Sequence, residues 1–488
     1  MHSIPCSRFA RLAAFRCGRA ALFALACTIV PAQLAGQRPT LSGATRQYVA
    51  VDSSLVALIN VRVIDGTGAP ARDGQTLVIR DGRIAAVGPA ASTPVPAGAL
   101  VMDLAGKSVI PGLVMVHEHL FYPTGPGVYG NVTESFSRLY LAGGVTSMRT
   151  GGNMNGYGEL NIAKAINRGD KPGPWIDATA PYVNGPNPFG QMRALETPAE
   201  ARRFIDFWAD QGATSVKAYM QVHRDVLGAA IDQAHTRGMK VTGHLCSVTY
   251  REAAALGIDD LEHGFLAATD FVADKKPDEC PGQGKGQQTV NAIDTSSVAF
   301  KSLVADLVKR KVAITSTLTV FETFTPGRPL PPGIEVLTPQ LRDQFVQMQG
   351  QIAKAPTSIY TTLLPKAMAM ELAFARAGGL LITGTDPTGG GGVIAGYSNQ
   401  RALELLVEAG FTPVEAIRIG TLNGATYLGR DKLVGSITAG KQADLVVIAG
   451  DPSANIADVR NVQLVFRQGV GYDPQKLVNS VKGKVGLF

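Results

Sequence analysis

The sequence predicts an α/β protein: a (β/α)8 TIM barrel joined to a small composite β-sandwich domain built from both chain ends. Three observations predict it. Short apolar runs alternate with amphipathic helical stretches across residues 111–429, the pattern of parallel βα units. Hairpin-like β-branched runs punctuated by Asp-Gly pairs occupy 55–110, and a similar texture returns only at 430–475. With 45% hydrophobic and 17% charged residues in 488, the chain can bury a large core and is too weakly charged for extended disorder.

Residues 1–35 carry Arg8, Arg11, Arg16 and Arg19 and no acid, then the apolar run Ala20 to Val30 and the small-residue stretch Pro31-Ala32-Gln33-Leu34-Ala35. This is the layout of a cleavable signal peptide, so the protein is expected to be exported, either periplasmic or secreted. The apolar run is too short to span about 30 Å of hydrocarbon, so no stable membrane insertion is expected; lipid anchoring at Cys27 is the lesser alternative. Removing the four arginines from the formal net charge of +7 leaves +3, spread without a basic run, which excludes a nucleic-acid partner. Cys6, Cys17 and Cys27 fall in the signal. Cys246 and Cys280 then either pair once or remain free thiols.

Residues 36–54 are polar and aperiodic and read as a flexible lead-in. The runs Leu55 to Val63 and Thr76 to Arg80, closed by Asp65-Gly66 and Asp81-Gly82, begin the β-domain, and Asp444 to Ile448 with Val462 to Phe466 complete it. Eight strands are expected in the central block, around 110–117, 145–149, 175–179, 214–219, 239–244, 259–263, 312–317 and 380–385. Thr197-Pro198-Ala199-Glu200 and Thr412-Pro413-Val414-Glu415 each read as a capping box with proline at the first helical position. The segments 266–300 and 321–360 exceed ordinary βα loops and read as lids or binding elements. The run Gly389 to Gly392 reads as flexible backbone near a ligand; lacking a following Gly-Lys-Ser/Thr, it is no phosphate loop.

Chemistry concentrates at the strand ends, where a parallel barrel places its active site. His117 and His119 in Val116-His117-Glu118-His119 share a face at i and i+2 and can grip one ion, while Glu118 points elsewhere. His244 closes Val241-Thr242-Gly243-His244, and His263 closes Leu261-Glu262-His263. Asp386 ends Leu380 to Pro387 as a further ligand and proton carrier. Lys217 in Val216-Lys217-Ala218-Tyr219 faces inward, where a neutral amine can add CO2 and become an anionic bridging carbamate. His235 lies inside a helix and reads as structural.

Pro111-Gly112-Leu113-Val114-Met115-Val116-His117-Glu118-His119, Val216-Lys217, Gly243-His244, Glu262-His263-Gly264 and Gly384-Thr385-Asp386-Pro387 together resemble the amidohydrolase superfamily, and within it members related to imidazolonepropionase and Xaa-Pro dipeptidase or carboxypeptidase. The resemblance runs over about residues 55–470. It implies a binuclear site of the lysine-carbamate type. His117, His119 and Asp386 would hold one divalent ion, His244 and His263 the other, with carboxylated Lys217 between them; zinc is the first choice, and Mn2+ and Co2+ accept the same ligands. The chain departs from common relatives after His244, where Leu245-Cys246 replaces the usual Ala-His or Ala-Tyr.

The implied activity is hydrolysis of an amide or peptide C–N bond, in an N-acyl amino acid or dipeptide-like small molecule with a free carboxylate. Asp386, Lys217, His263 and Tyr219 would form the catalytic set, with Asp386 relaying the proton to the leaving amine. Tyr219 would also bind substrate, with Arg149, His223, Arg224 and Asn184 as further substrate-binding candidates. The alternative is a mononuclear cyclic-amide hydrolase or deaminase in which Lys217 stays an amine. Homo-oligomerisation is compatible with exposed barrel helices.

Overall fold

The computed structural model describes residues 38–486 apart from 126 and 356, so the expected signal peptide lies outside the described residues. Eight parallel strands appear where the sequence places them. In chain order they are β1 (Leu113–Glu118), β2 (Val145–Thr150), β3 (Trp175–Asp177), β4 (Ser215–Ala218), β5 (Lys240–Gly243), β6 (Asp260–Glu262), β7 (Ala313–Ser316) and β8 (Leu381–Thr383). They form two parallel sheets, β1-β2-β3 and β4 through β8, with each strand beside its sequence neighbour. Isolated bridges Thr179–Ser215 and Val183–Ala218 link the two sheets. Between β8 and β1 there is no ladder; the amides of Thr385 and Asp386 both donate to the His117 carbonyl at 3.1 Å. The hydrogen-bonded ring expected from the sequence is therefore interrupted at this seam.

The strands are buried on both faces, which is why they read as near-continuous apolar runs; all six residues of β1 are inaccessible. Helices between them start where predicted. Thr197 and Thr412 accept from the amides of Glu200 and Glu415, whose carboxylates reach back to the capping residues. A third box, Thr249 with Glu252, opens Tyr250–Leu256 and escaped the sequence reading.

The flanking segments are joined by hydrogen bonds into one nine-stranded sheet. Leu445–Ala449 pairs antiparallel with Lys107–Pro111, and the Gly112 amide donates to the Asp444 carbonyl at 2.8 Å immediately before β1 begins. Its core packs Val56, Leu58, Val61 and Leu77 from the N-terminal side against Leu445, Val447 and Phe466 from the C-terminal side. The lead-in is ordered as well: Gly43–Arg46 is a helical turn, and Val49–Val51 pairs with Val470–Tyr472, whose apolar face gives it a partner. The described residues belong to one compact unit.

The two long segments are structured. Residues 266–300 contain the helix Gln283–Ala292, and 321–360 contain a 3-10 turn at Ile334–Val336 and the helix Pro339–Lys354. Cys246 and Cys280 form a disulfide, which ties the first of these segments to the loop after β5. No helix among the described residues is long and apolar enough to cross a membrane.

Candidate metal centre and active site

Strand alternation and burial set the site. His117 ends β1 with 1% exposure, and His119 lies just past it at 2%. Two glycines permit this crowding: a Cβ at Gly151 would sit 2.3 Å from His117 Cδ2, and one at Gly384 would sit 2.5 Å from the His117 amide. His119 Nε2 lies 3.1 Å from Asp386 Oδ1, His117 Nε2 lies 3.6 Å from the same oxygen, and His263 Nδ1 lies 3.7 Å from Asp386 Oδ2. One ligand atom each from His117, His119 and Asp386 falls within 4.8 Å of the others. His263 and Asp386 both have left-handed backbones, at φ +67° and +55°, a conformation sparsely used by residues other than glycine and common at functional sites.

The second half of the expected ligand set converges on the first. The His244 and His263 rings lie 4.4 Å apart, and His263 lies 4.8 Å from His117. Lys217 on β4 is 1% exposed. Burial pushes all four imidazoles down, His117 and His119 to about 4 and His244 to about 3, so they stand as neutral rings, the form that binds metal. Burial alone would raise the Asp386 carboxyl, but His117, His119 and His263 hold it well below the usual carboxylate range. Burial also pushes the Lys217 amine down, opposed by Asp386.

Glu262 is the residue that the sequence reading named only as part of a motif. It is fully buried, its Oε2 lies against the Lys217 amine and 3.0 Å from His117 Nδ1, and its Oε1 accepts from Thr242 and Arg149. The signal was available: Asp260 and Glu262 alternate in an apolar strand, which puts two carboxylates on one inward face. The buried imidazoles of His117 and His119 with the Asp386 carboxylate form a donor set that fits a divalent cation. His263 Nδ1 and Thr317 Oγ1 are hydrogen-bonded at 2.9 Å, which holds one ring in place.

Of the substrate-binding candidates, only Tyr219 reaches the cavity. Its ring lies 4.9 Å from His244, and burial keeps its phenol protonated. Arg149 is fully buried on β2, donating to the Val116 carbonyl at 2.8 Å and pairing with Asp260 and Glu262; it points into the strand core because those two carboxylates need its charge. Arg224 turns to Asp278 and Glu252 at the start of its helix, and His223 occupies the N-cap of that helix. Asn184 is a turn residue whose side-chain oxygen accepts from the amides of Gly185 and Gln221. His235 pairs with Asp259 at 2.9 Å, away from the site.

Six of the expected site residues, His117, His119, Lys217, His244, His263 and Asp386, line one cavity of about 270 Å³, together with Gly389. Glu118, expected to point away, does so: its oxygens accept from Thr385 and from Asn399 at 2.7 Å, and burial raises it to about 7.

The model of the Amidohydrolase family matches residues 318–471, which include β8 and Asp386. Over those residues the chain is similar to the amidohydrolase family. Over 110 residues it is 34% identical to the imidazolonepropionase of Clostridium tetani, a stretch that is 20% of this chain and a quarter (25%) of that protein. Among solved structures, a Bifidobacterium longum protein assigned as a prolidase superposes with a TM-score of 0.66 at 24% identity, covering 88% of this chain and 99% of that chain. A Xaa-Pro dipeptidase with methionine in its active site gives 0.65 at 18% identity, covering 86% and 100%. At these identities the structural likeness establishes the fold.

Proposed function

We propose that the protein is an exported metal-dependent hydrolase of amide or peptide C–N bonds, built on a (β/α)8 barrel in which the Thr385 and Asp386 amides, rather than a strand ladder, bridge the β8–β1 seam at the His117 carbonyl. The observation that carries the reading is the convergence of His117, His119, His244, His263, Lys217 and Asp386 on the floor of one cavity at the ends of parallel strands. His117, His119 and Asp386 would hold one divalent ion, His244 and His263 a second, and carboxylated Lys217 would join them. Such ions supply Lewis acidity toward the scissile carbonyl and an activated water.

The chain's own groups do the rest. The Asp386 carboxylate, anionic in its nest of imidazoles, accepts a proton from the attacking water and passes it to the leaving nitrogen. The protonated Tyr219 phenol donates to the substrate carbonyl. The expected grip on a free carboxylate loses its support, because Arg149 and Arg224 are paired with acids and neither they nor His223 line the cavity. The disulfide between Cys246 and Cys280 supports the exported reading.

A second reading is supported by the likeness over 110 residues to an imidazolonepropionase: a mononuclear cyclic-amide hydrolase or deaminase in which Lys217 stays an amine. Metal content separates the two. Elemental analysis of the purified chain is expected to give two equivalents, falling by at least one in Lys217→Ala, with loss of amide hydrolysis by about a thousandfold or more. One equivalent in the wild type with activity retained in Lys217→Ala refutes the bridge.

A further inference from the structure

We propose that the substrate is an uncharged amide carrying an aromatic group beside the scissile C–N bond, rather than an N-acyl amino acid or dipeptide with a free carboxylate; this rests on the amide-hydrolase reading above. The cavity above the ligand cluster is walled by rings on two sides. Phe121 stacks on His119 at 4.3 Å and meets Tyr129 edge-on at 5.3 Å. Opposite, Phe321 and Phe324 from the segment after β7 pack on Tyr360, with centroids 6.3 and 5.4 Å away. Met154, Met192 and Met220 fill the remaining wall, and Phe189 stands half exposed among the lining residues. Aromatic walls offer stacking and edge contacts to a planar ring, and thioethers adapt to irregular apolar shapes.

Charge points the same way. Among the described residues, Lys217 is the one lysine or arginine lining the cavity, and it sits in the ligand cluster. Arg149 is paired with Asp260 and Glu262, Arg224 with Asp278, and Lys285, two residues beyond the lining residue Gln283, with Asp274. A substrate carboxylate would share the cavity with the Asp386 carboxylate and find no lysine or arginine in its lining beyond Lys217 to offset the loss of water, a costly burial. In the hydrolysis of such an amide, the water oxygen bonds to the carbonyl carbon as the C–N bond breaks. One water proton goes to the amine that departs, and the other product is the carboxylic acid.

Three ligands test this: N-acetylphenethylamine, N-acetylphenylalanine, which adds a carboxylate, and N-acetylbutylamine, which replaces the ring. The metal-replete enzyme is expected to show kcat/KM at least tenfold higher for the phenethylamide than for either comparison compound. Calorimetric binding to the Asp386→Asn protein is expected to give the same order in Kd. Equal or better use of the acid overturns the uncharged class, and equal use of the butylamide overturns the aromatic preference. If the metal-replete enzyme turns over none of the three, the amide-hydrolase reading falls. The binding order then decides the present proposal: tenfold tighter binding of the phenethylamide upholds it and any other order overturns it. Phe324→Ala is expected to weaken phenethylamide binding at least fivefold while leaving butylamide binding within twofold, and no change for the phenethylamide counts against the ring contacts.

Discussion

Glu262 Oε2 lies 3.0 Å from His117 Nδ1 while its other oxygen accepts from Arg149 at 3.0 Å, so one buried carboxylate connects a strand-end imidazole to a buried guanidinium. Glu262 thereby orients the ring from behind. Glu262→Gln keeps the volume and removes the charge. Competition with a chelator is expected to show metal affinity lower by about 10–100-fold, the usual effect of losing a partner that orients a ligand. Unchanged affinity would show that His117 is held by packing alone.

Arg149 is the largest fully buried side chain, and it neutralises Asp260 and Glu262. Arg149→Met fills similar space but strands two buried carboxylates. The loss of stability is expected to be about 3–5 kcal/mol in denaturant unfolding, against under about 1 kcal/mol for Arg224→Ala, whose ion pairs are partly exposed. Comparable losses would mean that the buried network is not electrostatically tense.

The Cys246–Cys280 link spans 34 positions of sequence. Replacing both cysteines with serine is expected to lower stability by about 3–4 kcal/mol on the chain-entropy account. The wild type in reductant should approach the same midpoint, and a variant as stable as the oxidised wild type would refute a bracing role.

Glu159 is buried with neither carboxyl oxygen hydrogen-bonded among the described residues, and burial raises it to about 8. Its folded pKa exceeds its unfolded value of about 4.5, so the folded state binds the extra proton. Stability is then intact below pH 4.5 and declines as pH rises toward 8. Glu159→Gln is expected to be more stable than wild type at pH 8 by roughly 2–4 kcal/mol and indistinguishable from it at pH 4, by unfolding midpoints across pH.

Much of this architecture was legible from local pattern. Most parallel strands declared themselves as short runs between helical stretches, and the i, i+2 spacing of His117 and His119 announced a shared face. What stayed hidden was long-range charge pairing. Arg149 read as a substrate-binding cation because nothing near it in sequence shows Asp260 or Glu262, which lie 111 and 113 residues away. Order in the lead-in was equally hidden, since Val49–Val51 finds its partner more than 400 positions later at Val470–Tyr472. The aromatic walls escaped notice because Phe321, Phe324 and Tyr360 come from a segment whose fold no short motif encodes.

The mixed parentage of the nine-stranded sheet has a consequence for biogenesis. Lys107–Pro111 pairs on one side with Leu55–Val63 and on the other with Leu445–Ala449. During synthesis, that second edge emerges and waits, open, while more than 300 further residues are translated. An exposed edge of this kind templates association with other chains, so the nascent protein needs shielding until the late strand arrives. Truncation just before residue 445 would leave the barrel residues present and that edge permanently bare, and the expected product is an aggregate rather than a smaller enzyme.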